Sequence, residues 1–197
     1  MPLSLPQIEH ALSHHRPRRK MLRALMLRSA VAMILREHRG RCELLMIKRA
    51  ERRGDPWSGH MAFPGGRMEQ ADRHGLDVAK RETEEEIGLT LGAAEPCIGR
   101  LSEITARPRL LHRRPMVVTP YLFRLERDVA FEPNYEVAEV IWVPVDFLND
   151  YSNRETMHWK RDKVPIPLPC YLYKGRRIWG LSLMMIDELL ALLPGPG

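Results

Sequence analysis

The sequence predicts an α/β layered domain, on three observations. Compact apolar runs of strand length lie on both sides of the chain's middle. Between them stands a strongly acidic helix, Arg81 to Ile87, stopped by Gly88. The chain closes on a segment with Trp179, Leu183, Ile186, Leu190 and Leu193 at helical spacing, an amphipathic helix with a core-facing side. Strands, helix, strands and helix make layers around a sheet.

The elements follow in order. Leu5, Ile8 and Leu12 have helical spacing, so a short helix is expected there. His10, His14 and His15 on or after it read as a solvated basic surface rather than metal ligands. The basic run from His14 to Lys20, broken by Pro17, reads as a flexible linker; a polyanion-binding patch is the alternative. Ser29 to Leu35 and Leu44 to Ile47 are apolar strands joined by the polar turn His38-Arg39-Gly40-Arg41, which makes a hairpin. Asp55-Pro56-Trp57-Ser58-Gly59 is a tight loop, with Trp57 packing under it or, as the alternative, serving as a substrate platform. Met68 to Gly75 is a loop, and Asp77 is the expected N-cap of the acidic helix. Cys97 to Leu101, Met116 to Leu125 and Val137 to Val143 read as strands, and Pro144 starts a short helix. Pro120 predicts an edge or a bulge, because proline cannot donate to a ladder. Thr156 to Lys174 is extended chain turning at Gly175, and Pro194 ends the last helix.

Composition sets the bounds. A chain of 197 residues with 44% hydrophobic residues suits one domain with a substantial core. No apolar run reaches the length of a membrane span, and no secretory signal opens the chain, so no membrane partner is expected. Cys42, Cys97 and Cys170 are odd in number and widely spaced. They argue against a zinc or disulfide framework and for a reducing compartment, taken as the cytoplasm. The formal net charge of +6 suits an anionic substrate.

Glu82, Glu85 and Glu86 share one helix face, and Glu82 and Glu86 are like charges four apart, which disfavours the helix unless something offsets them. A hard divalent cation, Mg²⁺ or Mn²⁺, is a natural offset for carboxylate oxygens. Glu84 faces elsewhere, with Lys80 at i−4, and reads as an ordinary surface pair.

Gly66 followed by Arg81-Glu82-Thr83-Glu84-Glu85-Glu86-Ile87-Gly88-Leu89 resembles the Nudix box. The charged and glycine positions of its second half all match, with Thr83 where that family prefers an apolar residue. The first half departs: the glutamate expected eight residues before Arg81 is Arg73, and the neighbouring Asp72 makes the segment one residue longer. The resemblance implies the Nudix fold, a mixed β-sheet sandwiched between α-helices, over 29–197, with 1–28 a partly helical extension. It also implies metal-dependent hydrolysis of a diphosphate joined to a nucleoside. Glu82, Glu85 and Glu86 would be metal ligands, with the Gly65 carbonyl adding an oxygen. Arg81 would orient the carboxylates and Asp72 would replace the box's first glutamate. Glu103, Glu136 and Glu139 are candidates for a base from outside the box, each otherwise a surface charge.

Lys48-Arg49-Ala50, Gly59 to Gly66 and Ile178-Trp179-Gly180-Leu181-Ser182 resemble the coenzyme A pyrophosphatase branch of that family. The substrate so implied is coenzyme A or acyl-coenzyme A, with Arg49 in the binding site. The basic loop Arg107 to Arg114 would meet an extra phosphate through Arg113 and Arg114; its plainer reading is a solvated loop. ADP-ribose, NADH and dinucleoside polyphosphates are the other substrates considered. A non-catalytic module that binds nucleotide or nucleic acid is the alternative class. The complete carboxylate set speaks against it, so nucleic acid is not the expected partner.

Overall fold

A computed structural model describes residues 3–52, 58–106, 114–161 and 164–193. The predicted hairpin forms from β1 (Leu27–His38) and β2 (Arg41–Arg49), turning through Arg39 and Gly40, both at positive φ. That pair of left-handed residues matches the twist of the flanking strands.

The hairpin closes only near its turn, pairing Leu35 with Leu44 and His38 with Arg41. Beyond that point its strands part, and the segment 61–67 wedges into the split. There β3 (Met61–Ala62) pairs with β2, and β4 (Gly65–Arg67) pairs with β1. The Phe63-Pro64-Gly65-Gly66 run therefore crosses the middle of the sheet rather than its rim. On the far side of β1 lies β7 (Met116–Arg124), parallel to it, which makes the sheet mixed. Short β5 (Cys97–Arg100) and β6 (Ile104–Ala106) pair in succession with β7, and β8 (Val137–Pro144) borders β2.

Alternation along β1 builds two cores. Ala30, Ala32 and Ile34 point to one face, where they meet Val78, Ala79 and Ile87 of α2 (Gly75–Ile87). Met33 and Leu35 point to the other, shared with α1 (Leu5–His14), α3 (Val145–Asn149) and α4 (Gly180–Ala191). The sheet is thus sandwiched between helices, as expected. A second, three-stranded sheet of β9 (Arg154–Arg161), β10 (Val164–Tyr173) and β11 (Arg176–Trp179) leads into α4.

Several expectations are corrected. Pro120 lies in a strand flanked on both sides, not at an edge. Its carbonyl accepts from Leu101 N–H, in the gap between β5 and β6. The N–H and C=O of one strand residue face the same side, so its missing donor also falls in that gap and no ladder bond is lost. The start of α2 is Gly75, not Asp77. Asp77 sits within the first turn and accepts from the N–H groups of Arg73 and His74 at 3.1 and 2.9 Å. Asp77 thus serves the cap from the third helical position, as the acidic member of a capping box whose N-cap is His74. Trp179 belongs to β11 and precedes α4 rather than lying on it. The stretch from His14 to Lys20 is tied down: Arg18 N–H donates to Ser102 Oγ, and Lys20 N–H to Glu103 Oε2 at 2.7 Å. The Asp55 to Trp57 turn lies outside the described residues.

Leu5, Ile8 and Leu12 of α1 are all buried, Ile8 fully. Ile8→Ala should therefore cost about 2–5 kcal/mol, the range for a large-to-small change in a packed core. Urea unfolding measures it; a change within experimental error would mean that α1 lies on the core without filling it.

Candidate active site

The site begins with a steric fact. Gly65 adopts a φ of 157°, and a Cβ there would overlap the Ala30 carbonyl and sit 2.7 Å from Val31 Cα. A Cβ on Gly66 would overlap the Glu82 carboxylate. Only glycine lets this strand pass between β1 and α2 at such closeness. Gly65 faces Val31, whereas ladder bonds form at the alternate positions, as Ala32 N–H to the Pro64 carbonyl and Met68 N–H to the Arg28 carbonyl mark. The Gly65 backbone groups are thus turned away from β1. Its N–H donates to Glu86 Oε2 at 2.9 Å.

Along α2 the carboxylates divide. Glu86 is 3% exposed, Glu82 is half-buried and Glu85 is exposed. Arg81 ties the cluster: its Nη1 donates to Glu82 Oε1 at 3.0 Å and to Glu85 Oε2 at 3.1 Å, and its Nη2 to Asp72 Oδ2 at 3.0 Å. Asp72, buried, is held below the usual carboxylate range by the hydrogen bond from Arg81. It also accepts from Glu69 N–H at 2.8 Å, so it fixes the loop before α2. Thr83 is fully buried, and its hydroxyl donates to the Ala79 carbonyl at 2.6 Å, which satisfies it in an apolar setting. Glu84 accepts from Thr90 Oγ1 at 2.9 Å, in place of the expected partner Lys80.

Burial pushes Glu86 up to about 7, and the charge of Glu82 adds to this, while Gly65 N–H and the charge of Arg49 act the other way. Burial also raises Glu82. Two carboxylates that resist ionisation side by side, with a backbone strand against them, are a donor set that a hard cation would relieve. Among the described residues no three carboxylate, imidazole or thiol side chains converge on one point. The convergence is of Glu82 and Glu86 on the Gly65–Gly66 backbone.

The outlying candidates separate clearly. Glu103 is no surface charge: it is 3% exposed, paired with Arg23 Nε at 3.1 Å. Glu139 is engaged by Arg176 and by Lys48 Nζ. Glu136 pairs with Arg52 at 3.1 Å, and its charge bears on Glu86. Arg114 is exposed, while Arg107 to Arg113 lie outside the described residues.

Three distant stretches meet beside the strand. Arg49 N–H donates to the His60 carbonyl, and Ser182 Oγ to the Met61 carbonyl, at 3.0 Å each. The Trp179 ring stands edge-on to His60 at 4.9 Å, with Trp159 at 6.2 Å. The sequence joined the His60 and Trp179 stretches only through their resemblance to one branch of a family, and it missed Trp159 as a neighbour of Trp179.

A profile of the NUDIX domain matches residues 26–166. The chain belongs to the Nudix hydrolase family. The human mitochondrial coenzyme A diphosphatase NUDT8 is 32% identical over 89% of this chain and 73% of its own, and the mouse protein of that name is 30% identical over 89% and 82%. A solved Nudix hydrolase from M. smegmatis, RenU, superposes with a TM-score of 0.54 at 18% identity over 86% of this chain and 88% of its own, which speaks for the fold. This chain is thus a hydrolase of nucleoside diphosphate derivatives; members of its family generally use divalent metal ions. No helix among the described residues is long and apolar enough to cross a membrane.

A buried carboxyl raised from its usual 4.5 to about 7 makes a folded state that holds more protons than the unfolded one between those pH values. In metal-free protein this contribution to stability is full below pH 4.5 and is lost as pH rises through about 7. The loss is on the order of 3 kcal/mol. Glu86→Gln should flatten that part of the pH profile. Urea melts in chelator, with both proteins compared from pH 4 to 8, measure it; superimposable profiles would place the titration elsewhere.

Proposed function

We propose that this Nudix hydrolase cleaves the diphosphate of coenzyme A or acyl-coenzyme A, giving 4′-phosphopantetheine (or its acyl form) and 3′,5′-ADP. The likeness to the two coenzyme A diphosphatases over most of the chain carries this reading. Supporting it, Arg49 and Ser182, from two stretches that mark that branch, both bond the third, the strand before Phe63, and the charge of Arg49 bears on Glu86.

Glu82, Glu86 and the Gly65 carbonyl would hold Mg²⁺ or Mn²⁺, with Glu85 as a further ligand on the exposed rim. Such a metal would neutralise diphosphate charge and ready a water for attack on phosphorus. Arg81 keeps the carboxylates aimed, and Asp72 anchors Arg81 from the loop side. Glu136, whose charge reaches Glu86, is the proposed acceptor for the water's proton. Arg49 would face diphosphate oxygens, and Arg113 and Arg114 the 3′-phosphate. Water adds across one P–O–P bond, so each product leaves with a terminal phosphate. A reducing compartment such as the cytoplasm suits the three free cysteines.

The expected outcome is turnover of coenzyme A that vanishes in chelator and returns with Mg²⁺ or Mn²⁺. Glu86→Gln should lower kcat at least about a hundredfold, the scale of losing a major electrostatic contribution. Glu84→Gln should change it little, because its partner Thr90 lies outside the site. Product analysis by chromatography distinguishes the substrates. Cleavage of ADP-ribose or a dinucleoside polyphosphate but not coenzyme A would leave the family chemistry and remove the substrate assignment.

A further inference from the structure

Between Arg16 and Arg28 the chain reads RPRRKMLRALMLR, with six cations (Arg16, Arg18, Arg19, Lys20, Arg23, Arg28) and no acidic residue. Those six equal the entire formal net charge of +6, so the remainder of the chain is charge-balanced. A surplus held in one short stretch is a local field, not a bulk property.

The same stretch exposes apolar side chains. Met21 is 97% exposed, Leu22 59% and Leu25 64%; among the described residues only eight large hydrophobics are exposed, and these three fall within five positions. Their display is built in. Residues Arg23–Leu25 form a 3-10 turn, in which positions three apart eclipse one another, so Leu22 and Leu25 share a face. Arg23 turns inward to the buried Glu103, and Lys20 N–H and the Arg18 carbonyl close onto the same residue. Arg100 donates to the Pro17 carbonyl at 3.5 Å. These bonds hold the turn against the body of the protein while Met21, Leu22 and Leu25 face water, flanked along the chain by the exposed Arg16, Arg18, Arg19, Lys20 and Arg28.

We propose that this segment is a docking surface for an anionic lipid membrane. Charge alone would serve any polyanion. The exposed apolar side chains between the cations of this segment select a lipid surface, where they enter the headgroup boundary while the cations stay at its plane. Membrane attachment that endures needs two signals, and a basic cluster with an apolar insertion supplies both. The surface is peripheral and needs no spanning helix, so the expectation of no membrane partner, which rested on the lack of a span, does not bear on it.

Flotation of the full chain with vesicles tests it. Phosphatidylcholine vesicles carrying phosphatidylglycerol should capture the protein at low salt, and vesicles of phosphatidylcholine alone should not. Arg18→Gln with Arg19→Gln should weaken capture about 25-fold, near fivefold for each cation at the surface. Met21→Ser, Leu22→Ser and Leu25→Ser together, with every charge kept, should weaken it at least about tenfold. All three side chains are exposed, so unchanged thermal unfolding and unchanged hydrolysis of a soluble substrate show that these variants fold. No capture of the wild-type chain, or equal capture by both vesicle types, overturns the proposal. So does wild-type capture by the triple serine variant, or tighter binding to single-stranded RNA than to the anionic vesicles.

Discussion

The site depends on a strand that admits no side chain. Gly65 and Gly66 run between β1 and α2 where a single added carbon would strike the Ala30 carbonyl or the Glu82 carboxylate. That closeness is possible because β1 and β2 part beyond Leu35 and leave an opening in the sheet. It is also possible because β1 presents Ala30 and Ala32, the smallest apolar side chains, toward the helix. The opening, the glycines and the alanines are one device. Together they bring a backbone strand against the buried Glu86 and the half-buried Glu82, at the cost of burying charge.

That charge is managed by position. Arg81 gathers the outer carboxylates, Asp72, Glu82 and Glu85, and Glu86 is left to the Gly65 amide. The helix end above Glu86 is closed by backbone from a later loop, Asn134 N–H on the Glu86 carbonyl and Glu132 N–H on that of Ile87. These bonds satisfy the carbonyls that any helix end leaves open. They also bring Glu136 to the same end of α2, which links a residue outside the acidic helix to its chemistry.

Much of this was legible in the chain. The helix face, its glycine stop, the hairpin and the closing helix rest on local periodicity and punctuation, and local patterns survive tertiary packing. What periodicity could not carry was depth and pairing. Glu103 looks in sequence like any acidic surface residue, and only the approach of Arg23 and Lys20 from far earlier in the chain gives it a buried role. Pro120 broke a strand rule because the rule concerns which neighbour is present, and β5 and β6 leave a gap where it sits. The contact of Trp179 with His60 was hidden for the same reason, since spacing says nothing about a partner that lies most of the chain away.

The hydroxyl of Ser182 on the Met61 carbonyl has a consequence in time. The glycine strand and the acidic helix leave the ribosome well before α4, which holds the neighbouring strand and fills the core beneath α1. At ordinary elongation rates the gap is on the order of ten seconds. During it, the nascent chain has its carboxylates but not the helix that braces the strand leading into the glycines. A chain halted before α4 would carry its glycine strand without that brace.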